Sequence, residues 1–319
     1  MRRPASKAGN PDHLAAWVWE ARTRVGPCGG GNGLRSGGDD DAWTSVDGGC
    51  AVWQPIQRGA AFGGCPRSDA PHRPEETLKV LLIGVDLAWG EKKHDGVCFL
   101  EWNGKRGSVL GFGYPQGDRE LMRLVGERSR KYRTVFMTVD APIVCPNRTG
   151  TRPVDRLTHR MFHRQHAACH PANTSRCPRP TRVARLLARK GFSIGWEVGK
   201  AKKTAAEVYP HPAMVRMFGL PRIIKYKKGS VVERRGEFGR LQGLMRKLMK
   251  RSFPNVQITQ DTRSLLREKW SKPVEDRTDA LFCALIGMWH WMHRGKRSEV
   301  IGDRKTGFIL LPEEGATRS

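Results

Sequence analysis

Five acidic residues occupy positions from which they could do metal chemistry. Asp86 closes the apolar run Lys79-Val-Leu-Leu-Ile-Gly-Val-Asp86, and Asp140 closes Thr134-Val-Phe-Met-Thr-Val-Asp140. Glu207 ends the shorter run Thr204-Ala-Ala-Glu207, while Asp276 and Asp279 lie at the start of a long apolar helix. Short apolar runs rich in β-branched residues read as buried strands. A carboxylate inside such a strand costs several kcal/mol unless something pairs it. One acid per strand from three strands, with a pair opening a helix, is the set that two-metal phosphodiester hydrolysis requires. Mg²⁺ or Mn²⁺ suits oxygen ligands and keeps several waters, so few protein ligands suffice. Each residue alone has a plainer reading. Asp86 could bond a turn at its strand end, and Asp276 or Asp279 could complement the helix dipole. Together, four acids converging on one point repel each other at neutral pH unless cations or shared protons intervene.

The elements that must position these acids follow from the pattern. The first strand spans 79–87, a turn at Asp95-Gly96 leads to a second at 97–102, and Asn103-Gly104 leads to a third at 108–114. Asn-Gly between apolar runs signals a hairpin. Asp118 is placed to cap a helix over 119–131, with Leu121, Met122, Leu124 and Val125 on its apolar side. The strand ending in Asp140 follows, and Pro142 stops it. A third buried strand, 204–210, precedes a helix through Met214, Val215 and Phe218. A helix over about 233–250 carries Phe238, Leu241, Leu244, Met245 and Leu248 at helical spacing, which is core packing. The last long helix runs from about Val274 to Met292, and 307–312 reads as a final short strand. Hairpin-joined strands, then a helix, then a strand give a mixed α/β sheet with an antiparallel meander and a parallel return.

Charge sets the partner. The formal net charge is +26 over 319 residues. Residues 1–77 carry nine basic and nine acidic side chains, so 78–319, with 48 basic and 22 acidic, hold all of it. Nucleic acid is the first expectation for such a surface. Residues 1–77 contain 13 Gly and little hydrophobic periodicity, and read as disordered; 314–319 form a tail. No run of about 20 apolar residues is present, as a spanning helix requires. The eight Cys form no CxxC pair, and a reduced, cytoplasmic protein is expected. Residues 145–203 form a basic insertion with helical character at 181–190. Its His159, His163, His166, Cys169, His170 and Cys177 match no paired zinc spacing, so a His- and Arg-rich face on a substrate-handling loop is the reading.

These pieces, taken in order, resemble the DUF429 family of predicted ribonuclease H-like nucleases. The matching segments are Gly84-Val-Asp-Leu-Ala-Trp89, Val139-Asp-Ala-Pro142, Arg152-Pro-Val-Asp155 with Arg160, Glu207-Val-Tyr-Pro-His-Pro212, Tyr226-Lys-Lys228 and Asp276-Arg-Thr-Asp-Ala-Leu281. The resemblance implies a ribonuclease H-like domain over 78–313, with a mixed five-stranded sheet flanked by helices, and a metal-dependent nuclease acting on DNA or RNA. By matching position, Asp86, Glu207 and Asp279 are the implied metal ligands, with Asp140 or Asp276 accessory. Arg152, Arg160, Lys227 and Lys228 would position phosphates, and Arg152 could instead pair with Asp155 as a brace. Two other functions remain open. One is a ribonuclease H-like scaffold that binds nucleic acid without cutting it. The other is an actin-like phosphotransferase, although Leu87-Ala-Trp-Gly90 offers no hydroxyl for the phosphate turn that class needs.

Overall fold

The computed structural model describes residues 79–313. Both the segment expected to be disordered, 1–77, and the tail 314–319 lie outside the described residues.

Three strands form the meander: β1 (Val80–Asp86), β2 (Gly96–Trp102) and β3 (Gly107–Gly113), paired antiparallel in turn. Helix α1 (Gly117–Ser129) then leads to β4 (Thr134–Val139), which returns parallel to β1. The insertion supplies α2 (Pro153–Phe162), α3 (Pro178–Arg189) and the two-residue β5 (Ser193–Ile194). Next come β6 (Lys203–Glu207), α4 (Pro210–Phe218), α5 (Val231–Ser252), the two-residue β7 (Val256–Gln257), α6 (Gln260–Leu265) and α7 (Lys272–Met292). A hairpin of β8 (Ser298–Asp303) and β9 (Gly307–Pro312) completes the described chain.

The main sheet runs β5-β6-β4-β1-β2-β3-β7. It therefore has seven strands where five were expected. The two extra ones are two residues each, at opposite edges, too short to leave a periodic trace in sequence. The expected final strand, 307–312, pairs with β8 in a separate hairpin and is linked to the chain just beyond β6 by a parallel bridge from Leu310 to Val208.

Strand alternation sorts the core into two faces. Leu82, Phe136 and Ala206 pack with α7, α4 and α5 on one side. Ile83, Val85, Val139 and Ala205 pack with α1 and α3 on the other. Two N-termini differ from expectation. Asp118 does not cap α1, whose N-cap is Gln116 without a side-chain bond; its carboxylate is taken by Arg179 and Arg182. Helix α5 starts on a complete capping box between Ser230 and Glu233, a local feature that fixes the loop before it.

Candidate active site

Helix α7 is the element that builds the site. It lies across β2, β1 and β4 and approaches closely because the strands are notched. A Cβ at Gly84 would sit 2.1 Å from the Ala280 carbonyl oxygen and 2.3 Å from the Ala284 nitrogen. One at Gly96 would sit 2.0 Å from the Asp276 carbonyl oxygen. Only glycine fits where backbone meets backbone this closely. Thr138 Oγ1 on β4 donates to the Cys283 carbonyl at 2.7 Å and ties the helix to the next strand.

Register then places the acids. Gly84, Thr138 and Ala206 form one cross-strand row, on the α7 side. Asp86 and Asp140 each follow their row member by two residues, so both turn toward α7. Helix α7 starts at Lys272, two residues before the expected boundary. Asp276 and Asp279 therefore sit in its second and third turns, past the reach of the dipole, and both are buried. Asp279 Oδ1 accepts from the Tyr226 hydroxyl at 2.8 Å, and its Oδ2 lies 2.7 Å from Lys227 Nζ. That second contact is an ion pair without hydrogen-bond alignment, and it is the contact that Oδ2 makes among the described residues. Asp276 accepts from the Tyr114 hydroxyl at 3.0 Å and pairs with Lys272 at 2.7 Å. Asp86 and Asp140 make no side-chain hydrogen bond or ion pair among the described residues.

The electrostatics match this shortage of partners. Burial pushes the Asp86 carboxyl well above its ordinary value; Lys227 opposes it, and Asp279, Asp140 and Asp276 add to it. Burial raises Asp140 to about 7; Lys227 opposes it, and Asp279 and Glu207 add to it. For Lys227, burial works to lower the ammonium, but Asp279, Asp86 and Asp140 outweigh it and its pKa rises well above normal. Lys227 keeps a third of its side-chain surface in solvent, so it enters the cluster from the rim. His211, one turn beyond β6, is held neutral: burial first, then Lys227 and His170, lower it to about 3. The Tyr209 hydroxyl donates to the Ala168 carbonyl and meets His211 Nδ1 at 3.1 Å. Nδ1 therefore carries the proton, and Nε2 is left with a lone pair.

Glu207 is placed differently from the other acids. It shares its row with Val85 and Val139, whose side chains enter the α1/α3 core. It ends in a bidentate pair with Arg152, at 2.7 and 2.9 Å. The same guanidinium contacts both oxygens of Asp155 and donates to the Val144 carbonyl at 2.8 Å. Arg152 is 2 % exposed with its donors engaged inside the protein. The brace is its observed role; the expected phosphate contact would need donors that are already taken. Burial raises Glu207 and Arg152 opposes it, while the two carboxylates raise Arg152 despite its burial. The bidentate geometry is that of an ionised pair. The two groups are neighbours across a small cavity of about 50 Å³, whose wall includes Asp140, Glu207, Arg152, His170 and Tyr209.

As the side chains stand, no three His, Cys, Asp or Glu among the described residues converge at ligating distance. Asp86, Asp140, Asp276 and Asp279 form one neighbourhood with Lys227, and Glu207 belongs to the Arg152 brace. Lys228 and Arg160 are exposed. Arg160 lines a second cavity of about 680 Å³ with Arg156, His159, Cys169 and His170, next to the first.

Residues 84–306 match a family described as Protein of unknown function (DUF429). The chain belongs to the DUF429 family. No curated protein matches it. The matched span of this DUF429 protein takes in all five acids, the Arg152 brace and Lys227.

Three contributors have partners that the sequence does not show. Tyr114, at the end of the meander, and Tyr226, in a loop, hold Asp276 and Asp279 from residues far away in the chain. The third is Asp95, expected in an open turn and in fact 0 % exposed. It takes both terminal nitrogens of Arg179 at 2.7 and 2.8 Å and accepts from the Ala88 amide at 2.9 Å. Arg179 thereby pins the loop after Asp86 to α3.

Proposed function

We propose that this protein is a metal-dependent nuclease that hydrolyses phosphodiester bonds in DNA or RNA. The observation that carries the reading is the cluster of Asp86, Asp140 and Asp279 around one compensating ammonium, Lys227. Three carboxylates and one cation leave two negative charges, which one divalent ion balances. The all-oxygen donor set suits Mg²⁺ or Mn²⁺, and Asp279 Oδ2, which accepts no aligned hydrogen bond, fits a ligand role once Lys227 turns to a phosphate. The central strand order β3-β2-β1-β4-β6, antiparallel then parallel, supports a ribonuclease H-like assignment.

Asp86, Asp140 and Asp279 would hold the ion, with Asp276 behind them on α7. A bound ion would lower the pKa of an attacking water and offset the negative charge on the phosphate oxygens. The chain's own residues do the rest. Lys227 reaches the cluster from the solvent side, where it can pair with a phosphate oxygen. His211 stays neutral, because burial and the neighbouring Lys227 disfavour its charged form, so its Nε2 lone pair can accept a hydrogen bond without adding charge to the site. The Arg152–Glu207–Asp155 brace fixes the edge of the site. Arg160 and Lys228 are exposed cations available to the backbone of a strand.

Purified protein with Mn²⁺ should cleave nucleic acid, and Asp86→Asn should abolish the cleavage. Equal cleavage by that variant would refute the reading. A second reading, a scaffold that binds nucleic acid without cutting, is favoured by one observation: Lys227 already contacts Asp279. Steeply salt-dependent binding with no metal-dependent turnover would select it.

A further inference from the structure

At the far end of α7 lies a cavity that the acid cluster does not use. His290 follows Asp276 by 14 residues, which is about 21 Å along the helix axis. The cavity measures about 820 Å³ and is walled by Trp196, Trp291, His290, Arg294, Lys296 and Val300. That volume is in the range of small-molecule sites.

The wall is rigid and its chemistry is specific. Trp196 packs edge-on against Phe308 at 4.8 Å, and Trp291 packs on Phe136 at 5.9 Å. Both indoles stay partly exposed, and neither ring N–H makes a hydrogen bond among the described residues. His290 meets the Trp196 carbonyl through Nε2 at 2.6 Å. A carbonyl only accepts, so Nε2 carries the proton. Burial keeps the ring neutral, and its Nδ1 is a buried acceptor without a hydrogen bond. The one acid in the lining, Glu197, is paired with Arg304 and with Lys200, and Arg304 also stacks over Trp196 at 4.8 Å. Arg294 and Lys296 make no ion pair among the described residues. The carbonyls at the end of α7 are capped, His290 by the Gly295 amide and Trp291 by the Arg294 amide, and two free cations outweigh the negative end of the helix dipole.

We infer that this cavity binds a nucleotide unit. The base stacks on an indole face and the phosphate meets Arg294 and Lys296. Base–aromatic stacking beside unpaired cations is the pairing by which proteins take nucleotides without reading sequence. The unit has two possible sources, a free mononucleotide or one residue of a single strand. The inference rests on the reading of this protein as one that handles nucleic acid, but not on cleavage.

The test is direct binding by the full chain in EDTA, where no metal-dependent cutting contributes. AMP and CMP are titrated by calorimetry, and fluorescein-labelled oligothymidine and oligouridine by anisotropy. Trp196→Leu should weaken binding about 5- to 150-fold. Arg294→Glu with Lys296→Glu should weaken it at least as much. The same charge change on exposed α5 positions, Arg235→Glu with Lys247→Glu, should leave AMP binding unchanged. Circular dichroism melts confirm that each variant is folded. Loss of both AMP and strand binding assigns a site open to either source; strand binding alone, lost in the same variants, assigns the strand. Wild-type affinity in the folded Trp196→Leu protein overturns the inference, and so does displacement of AMP by polyglutamate at equal charge. Absence of Mn²⁺-dependent cleavage would count against the nuclease reading and leave this result standing.

Discussion

Replacing Arg152 by Met should produce a large and pH-dependent loss of stability. Arg152 contacts two carboxylates that are 3 % and 2 % exposed, Glu207 and Asp155, and also the Val144 carbonyl. Met fills much of the aliphatic volume but leaves both acids without a counter-charge. Removing one partner of a buried pair costs about 3–5 kcal/mol; two stranded carboxylates put this variant at the upper end. That is a large part of the 5–15 kcal/mol typical of a folded domain. Glu207→Gln should cost less, about 1–2 kcal/mol, because it leaves Arg152 and Asp155 as a one-to-one pair. The pH dependence has a definite sign. Without the guanidinium, the folded-state pKa of Glu207 rises further above its unfolded value, so the folded state binds more protons than the unfolded one. Stability is then retained at low pH and lost as pH rises through the folded pKa. Urea denaturation at about pH 8 and about pH 5.5 should show a deficit that shrinks on acidification. A loss below about 1 kcal/mol, or a deficit equal at both pH values, would refute the claim that Arg152 neutralises this pair.

The metal-free wild type should show the same sign on a smaller scale, because burial raises Asp86 and holds Asp140 at about 7. Its urea midpoint in EDTA should fall as pH rises from about 5.5 to about 8; a flat profile would contradict the clustering of these acids. Lys227→Met removes the one cation within the Asp86, Asp140 and Asp279 group, so it should steepen that fall, and carboxyl NMR titration should find Asp140 displaced further upward. Gly84→Ala forces a Cβ to within 2.3 Å of two backbone atoms of α7. It should cost about 1–3 kcal/mol or more, since backbone yields less readily than a side chain. A wild-type melting temperature for that variant would show that the helix does not seat where described.

The sequence exposes the strands that carry Asp86 and Asp140 because each is a run of β-branched and apolar residues ending in a charge. The long helices were equally legible, and Phe238, Leu241, Met245 and Leu248 are buried at the expected spacing. What was not legible depends on partners distant in the chain. Asp95 sits beside Gly96 and reads as a turn; only Arg179, 84 residues later, makes it a buried anchor. Glu207 reads as a strand-end acid like the others. Its face is decided by register, and a shift of one residue in a strand reverses the side. The basic insertion reads as a His- and Arg-rich face on a substrate-handling loop, with an Arg152–Asp155 brace as the alternative; Arg152 and also Arg179 are among the buried side chains, since composition does not distinguish a charge that pairs internally from one that meets a substrate.

That division by register bears on what the acids can do. The row of Val85, Val139 and Glu207 turns away from α7, and the acid in it received an arginine from the neighbouring insertion. Asp86 and Asp140 turn toward α7, where the nearest available cation is a lysine from a rim loop that reaches only Asp279 within salt-bridge distance. An arginine fork satisfies a carboxylate bidentately, and the result is a closed structural unit. A single ammonium beside three carboxylates satisfies at most part of their charge and keeps their pKa values high. A protein that needed only stability here would do better with apolar residues at Asp86 and Asp140, because each buried charge weakens the folded state. The unbalanced group is therefore the one to examine for function, and the neutralised group explains why its edge stays in place.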